Sequence, residues 1–171
     1  GRLLPGQFAR IRLQIGERLT YRVDVTLPET TITNLSITDI MPSNGLAYVR
    51  SSARVDTNTF VGFLPAISET PTGSGLLATN GQNMTFNFFG NTVVYGDKDT
   101  GNNSFSLYLD VIAIDTNQNF GLAGAQTVHT NRDRVTYAAN PVGAVTSAVV
   151  TTTMIEPRLT LTKNIVQATA D

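Results

Sequence analysis

The sequence predicts an all-β protein built as an antiparallel β-sandwich, on three observations. Apolar Leu19, Tyr21, Val23, Val25 and Leu27 alternate with polar Arg18, Thr20, Arg22, Asp24 and Thr26, the two-residue period of a strand with one buried face. Turn-forming clusters interrupt the chain at short intervals, among them Pro28-Glu29-Thr30 and Pro42-Ser43-Asn44-Gly45, as in a domain of many short strands. Nowhere do apolar residues recur at the three- and four-residue spacing of a helix over a helical length. Composition agrees: charged residues are only 15%, and Thr, Asn, Gly and Val replace them, which favours strands and turns.

In chain order, Phe8 to Ile15 alternates with Ile11, Leu13 and Ile15 apolar and forms a first strand. Gly16-Glu17 turns into the second, Arg18 to Leu27, which Pro28 ends because proline donates nothing to a ladder. A third strand, Asn34 to Ile40, points Leu35 and Ile37 inward. Leu46 to Val55 resumes extended structure after the Asn-Gly turn. Phe60 to Gln82 reads as a long loop, apolar enough at Phe60, Phe63, Leu64 and Ile67 to cover an open end of the sandwich. Strands return at Met84 to Phe89 and Asn91 to Tyr95, followed by a polar hairpin tip from Gly96 to Asn103. Ser104 to Asp115 is apolar on both faces and predicts a central strand covered on each side. Thr127 to Tyr137 and Ala144 to Ile155 complete the set. Glu156-Pro157 then punctuates, and Arg158 to Lys163 starts a fresh strand with nothing after it to pair. Residues 1–157 therefore read as one sandwich domain, and 158–171 as a linker or the first strand of whatever follows.

The formal charge of −1 at pH 7 leaves no concentrated basic surface for nucleic acid. Zero cysteines exclude disulfides, thiolate metal sites and a cysteine nucleophile. No apolar run is long enough to span a bilayer. No signal peptide is visible, and KNIVQATAD carries no stop signal, so the sequence reads as an excerpt of something longer.

The segment from Gly16 to Val55 also resembles the opening of a family. It carries Gly16, Glu17, Thr20 and Tyr21, then Asn34, Asp39 and Pro42, then Gly45, Leu46 and Val49. This order resembles the DUF11-like repeats of large bacterial surface proteins, including isopeptide-forming fimbrial domains. MTFNF, IAIDTNQNFG, NRDRVTYAA and the exit IEPRLTLTK agree with it. The resemblance implies an immunoglobulin-like sandwich with Greek-key-type connections, outside the cell or on its surface. It implies a module of an adhesin, fimbrial protein or fibre, whose partners are neighbouring repeats or subunits and whose exit leads into the next repeat. Some such repeats join a first-strand lysine to an Asn or Asp under a buried acid. Here the first strand carries Arg10 and Arg12, which cannot be deprotonated to act as nucleophiles, so packing alone is expected to hold the module.

Candidate chemistry is sparse. Asp97, Asp99 and Asn102, and separately Asp115, Asn117 and Asn119, place oxygens at alternate positions as calcium loops do. Neither set has the expected sixth-position Gly or a twelfth-position Glu, and Asp and Asn also dominate ordinary turns. Calcium is the one cofactor these residues suggest, and turn formation is the simpler reading. His129, the lone histidine, reads as a strand residue on a polar face. Asp39 reads as a turn or strand-end residue. No nucleophile elbow or phosphate loop is present, so no enzymatic activity is expected. The expected role is a structural spacer. Two alternatives are a filament subunit donating the strand of Arg158, Leu159, Leu161 and Lys163 to a neighbour, and a carbohydrate- or protein-binding module using the 60–82 and 117–124 loops.

Overall fold

The computed structural model describes residues 11–117, 119, 121, 124–138 and 143–155. Among the described residues twelve strands run in chain order: β1 Ile11–Leu13, β2 Arg18–Thr26, β3 Thr31–Ile40, β4 Leu46–Tyr48, β5 Arg54–Asp56, β6 Gly62–Phe63, β7 Ile67–Thr70, β8 Met84–Val94, β9 Ser104–Ala113, β10 Val128–Thr136, β11 Val145–Thr146 and β12 Val150–Met154. The only helical element among the described residues is a single 3-10 turn, Thr100–Asn102. No helix there is long and apolar enough to cross a membrane.

The strands form two facing sheets. The wide one runs β1-β12-β10-β3-β8-β6, with β11 beside β10 and β7 beside β8; the narrow one runs β2-β9-β4, with β5 beside β9. Every pairing is antiparallel except β1 with β12, which is parallel, with Leu13 opposite Met154. The sandwich class is therefore as expected. Several of the expected strands are broken or bulged. Met84 to Val94 is one strand with a bulge, where Asn34 faces Phe89 and Gly90 between the Thr33–Asn91 and Leu35–Phe88 pairs. Asn34 and Gly90 take positive φ there, 53° and 94°, a conformation that Gly and Asn adopt most cheaply.

Two expectations need correcting. The 60–82 segment does not cap an end of the sandwich: β6 and β7 within it pair with β8 and form that edge of the wide sheet. Strands of two and four residues flanked by prolines have too little local pattern to be read from sequence. β9 is central, held by β2 on one edge and by β4 and β5 on the other, but only its inner face is covered. Its outer face is half-buried beneath long side chains, with the Arg54 guanidinium 5.1 Å from the Tyr108 ring centre. Asp110 on that face meets Arg54 at 3.4 Å and Arg18 at 3.6 Å, pairs whose arginine ends are solvent-exposed and that contribute little each.

The inner faces meet over aromatic rings. Phe86 and Phe88 of β8 meet Tyr48 of β4 and Phe105 of β9 edge to face, at 5.5 and 5.6 Å between centroids. Leu35, Ile37, Leu107, Leu109 and Val111 fill the spaces between them and are fully buried. Phe86→Ala should cost about 3–5 kcal/mol, the usual range for a buried phenylalanine. Phe89→Ser, on the neighbouring but 64% exposed bulge residue, should change stability by less than about 0.5 kcal/mol. Denaturant unfolding of both variants checks which face of β8 is packed: comparable losses for the two would contradict the inward placing of Phe86 and the outward placing of Phe89.

Candidate functional site

Where the narrow sheet ends at β2, the interior changes from apolar to polar. The inward residues of β10 are His129, Asn131 and Asp133; His129 and Asn131 are buried and Asp133 is partly so. Asp39 of β3 is opposite Asp133 in register and is fully buried. Tyr21 of β2 faces the same region from the other sheet, its hydroxyl held against Thr152 of β12 and Asn131. Tyr21, Asp39, Asn131, Asp133 and Thr152, on four strands, therefore share one end of the core.

The electrostatics follow from that position. Burial pushes the Asp39 carboxyl up to about 7, the Asp133 charge adds to the rise, and Asn131 offsets part of it. Asn131 is near enough to favour the charged form, yet neither Asp39 oxygen accepts a well-formed hydrogen bond, and one Asp133 oxygen is likewise without one. Burial raises Asp133 to about 6. Tyr21 also titrates above its ordinary value, chiefly from burial. Asp39 is thus the next-to-last residue of β3, as a strand-end reading expects, but it lies in the core and not in a turn.

A second cluster closes the end of the sandwich. The Asn119 amide nitrogen donates to the carbonyls of Gly45 at 2.9 Å and Ile114 at 2.8 Å. Its Oδ1 is therefore left to accept from His129 Nε2 at 2.5 Å, which assigns the proton to Nε2. His129 thus faces inward, correcting the polar-face expectation, and burial lowers its pKa. Gly45 has φ of 94°, and a Cβ on it would overlap Asn119 Oδ1 and the His129 ring. The Asn-Gly turn is glycine for both reasons. These three residues tie the β3–β4 turn, the loop after β9 and β10 together.

The remaining sequence candidates are distributed as follows. Asp97 Oδ1 accepts from the Asp99 amide at 2.8 Å and its Oδ2 from Asn102 Nδ2 at 2.7 Å, while Asp99 accepts from the Gly101 amide at 3.0 Å. These bonds, that from the Asp99 backbone foremost, hold the Asp97 pKa down. Asp115 and Asn117 are exposed, while Asn119 is the buried clasp residue, so the second candidate set does not converge. Among the described residues no three His, Asp or Glu side chains group as metal ligands do. Arg158, Leu159, Leu161 and Lys163 lie outside the described residues. Lys98, the one described lysine, occupies the exposed hairpin tip.

One open groove of about 430 Å³ is lined by Arg50, Ser51, Glu69 and Gly73, partly from the 60–82 segment. Glu69 accepts there from the Tyr48 hydroxyl at 2.6 Å and the Ser51 amide at 3.1 Å, and an Arg50 terminal nitrogen donates to the Pro71 carbonyl at 2.7 Å, while the buried Arg50 Nε has no partner. Those bonds fix the irregular 49–53 connection between β4 and β5.

No protein-family model matches the chain, and no curated protein sequence matches it. Among solved structures it is similar to BcpA, the major pilin subunit of Bacillus cereus, at 15% identity and a TM-score of 0.49, over 87% of this chain and 38% of the pilin. It is also similar to a family 123 glycoside hydrolase from Clostridium perfringens, at 10% identity and a TM-score of 0.42, over 86% of this chain and 23% of the hydrolase. The chain spans less than half of the length of either.

The positions quoted for the sequence resemblance are the ones doing structural work here: Tyr21 and Asp39 in the polar cluster, Gly45 in the clasp, Asn34 in the bulge. Asn131 and Asp133 fall in the quoted NRDRVTYAA segment, whereas His129 gave no sequence signal beyond lying on a strand. Asn119→Ala should destabilise the module by about 1–3 kcal/mol, the cost of leaving a buried ring nitrogen and carbonyls without partners, seen as a lower denaturant midpoint with an unchanged slope.

Proposed function

We propose that this chain is a structural spacer module of an extracellular fibre or cell-surface adhesin, acting without catalysis and joined in series with neighbouring modules. The observation that supports this reading is the parallel pairing of β1 with β12. Because the two strands run side by side in one direction, the chain arrives at β1 from one pole and leaves β12 at the other. Modules linked through such strands extend along one axis. Tension then shears the β1–β12 hydrogen bonds together instead of opening them one at a time. Asn34 at the bulge and Asp97, Asp99 and Asn102 at the hairpin tip bond to their own turns or to the adjoining strand, which suits presentation and extension better than chemistry.

A filament subunit completed by a neighbour's strand is the second reading. β2, nine residues long, pairs only with β9 among the described strands, and its other edge could accept an extended segment. Monomeric elution at high concentration would count against this reading, and fibres in micrographs would support it.

For the spacer reading, tandem copies of the chain viewed by electron microscopy should form rods that lengthen by roughly 35–40 Å per copy, the span of the longest strand plus a turn at about 3.3 Å per residue. Compact clusters with no constant increment would overturn it.

A further inference from the structure

Asp39 and Asp133 are opposed in register on adjacent antiparallel strands, and both turn inward. Side chains so placed stand about 5 Å apart at Cβ. Asp39 is 0% exposed, and both of its oxygens lack a hydrogen-bond partner, as does one oxygen of Asp133. Among the described residues, no cation reaches the pair from any packed element. β10 supplies Asn131 and His129, whose Nε2 is bound to Asn119, while Arg132 and Arg134 alternate to the outer face. β2 contributes Tyr21 and β12 contributes Thr152; β8 places Met84 opposite Asp39. β9 turns Tyr108 and Asp110 outward, and Tyr48 of β4 is bonded to Glu69.

We propose that Asp39 and Asp133 hold one proton between them across the β3–β10 ladder at neutral pH, making a clasp that tightens the module as its surroundings become acidic. Two adjacent buried carboxylates cannot both stay ionised without a cation. One shared proton gives a carboxyl hydrogen bonded to a carboxylate, which provides a partner for an oxygen of each residue. The bond joins β3, whose Leu35 and Ile37 anchor the apolar core, to β10, whose other edge carries β11 and β12.

The sign of the pH dependence is fixed by linkage. Both groups titrate above the ordinary 3.8, near 7 for Asp39 and near 6 for Asp133, and these values describe the pair jointly. Between about pH 4 and pH 7 the folded state therefore binds more protons than the unfolded chain, and stability falls as pH rises through this window. His129 acts oppositely: its lowered value removes stability as pH falls below 6.5, so it opposes the carboxyl effect without reproducing it.

The test is the melting temperature of the chain from pH 5 to pH 8, for wild type, Asp39→Asn, Asp133→Asn and the double variant. Wild type should melt on the order of 5–10 °C higher at pH 5 than at pH 8. Asp39→Asn should lose most of that difference and match or exceed wild type at pH 8. A flat wild-type profile, or an Asp39→Asn profile as steep as wild type, overturns the proposal. Should Asp39→Asn not fold, infrared spectra of wild type with carboxyl-labelled aspartate decide: a carboxylic-acid C=O band present at pH 6.5 and gone by pH 8.5 supports the shared proton, and its absence at pH 6.5 refutes it.

Discussion

Two sheets of unequal width share one interior, and most of the structure follows from that mismatch. The narrow sheet covers β3 and β8, and there the core is aromatic and aliphatic, with Phe86, Phe88, Phe105 and Tyr48 in edge-to-face contact. It stops at β2, so the inner face of β10, β12 and β1 lies at or past its margin. Ile11 and Val150, on that inner face, remain 41% and 48% exposed. The margin is also where Tyr21, Asp39, Asn131, Asp133 and Thr152 gather. A polar group at such a boundary is neither hydrated enough to ionise freely nor packed well enough to be replaced by leucine without reshaping both sheets. The result is a core with an apolar half that supplies cohesion and a polar half whose strength varies with protonation.

The same margin holds the strands through which the chain passes in and out. β1 contributes only Ile11–Leu13 to the wide sheet before the chain crosses at Gly16 into β2. Its pairing with β12 depends on Leu13 and Met154, both buried, and on the bond from the Ile155 amide to the Leu13 carbonyl at 2.9 Å. A short parallel ladder is weak when opened from one end and much stronger when its bonds are loaded together. The spacer reading rests on that geometry, and the acid clasp between β3 and β10 lies directly behind it.

The sequence made the regular strands legible because alternation is local. β2 and β9 follow the expected pattern closely, and the Pro42–Gly45 turn falls where its residues require. The rest was hidden where long-range pairing decides. β6 and β7 exist because β8 offers an edge, and nothing within Phe60 to Gln82 announces two short strands between prolines. The bulge at Phe89–Gly90 depends on Asn34 across the ladder. Asp39 and His129 looked polar and therefore exposed, since burial of a polar side chain depends on which residues the opposite strand brings to it. The quoted motif positions marked some of these places without stating their reason.

The spacer account is tested most directly by the direction of pulling. The chain has no cysteine, so introduced cysteines give unique handles for single-molecule force measurements. Handles at Ile11→Cys and Ile155→Cys load the β1–β12 ladder in shear, whereas Gln14→Cys and Ile155→Cys place both handles at one pole and peel it. The account predicts a peak unfolding force several-fold higher for the first pair. Equal forces, or a higher force for the second pair, would contradict it.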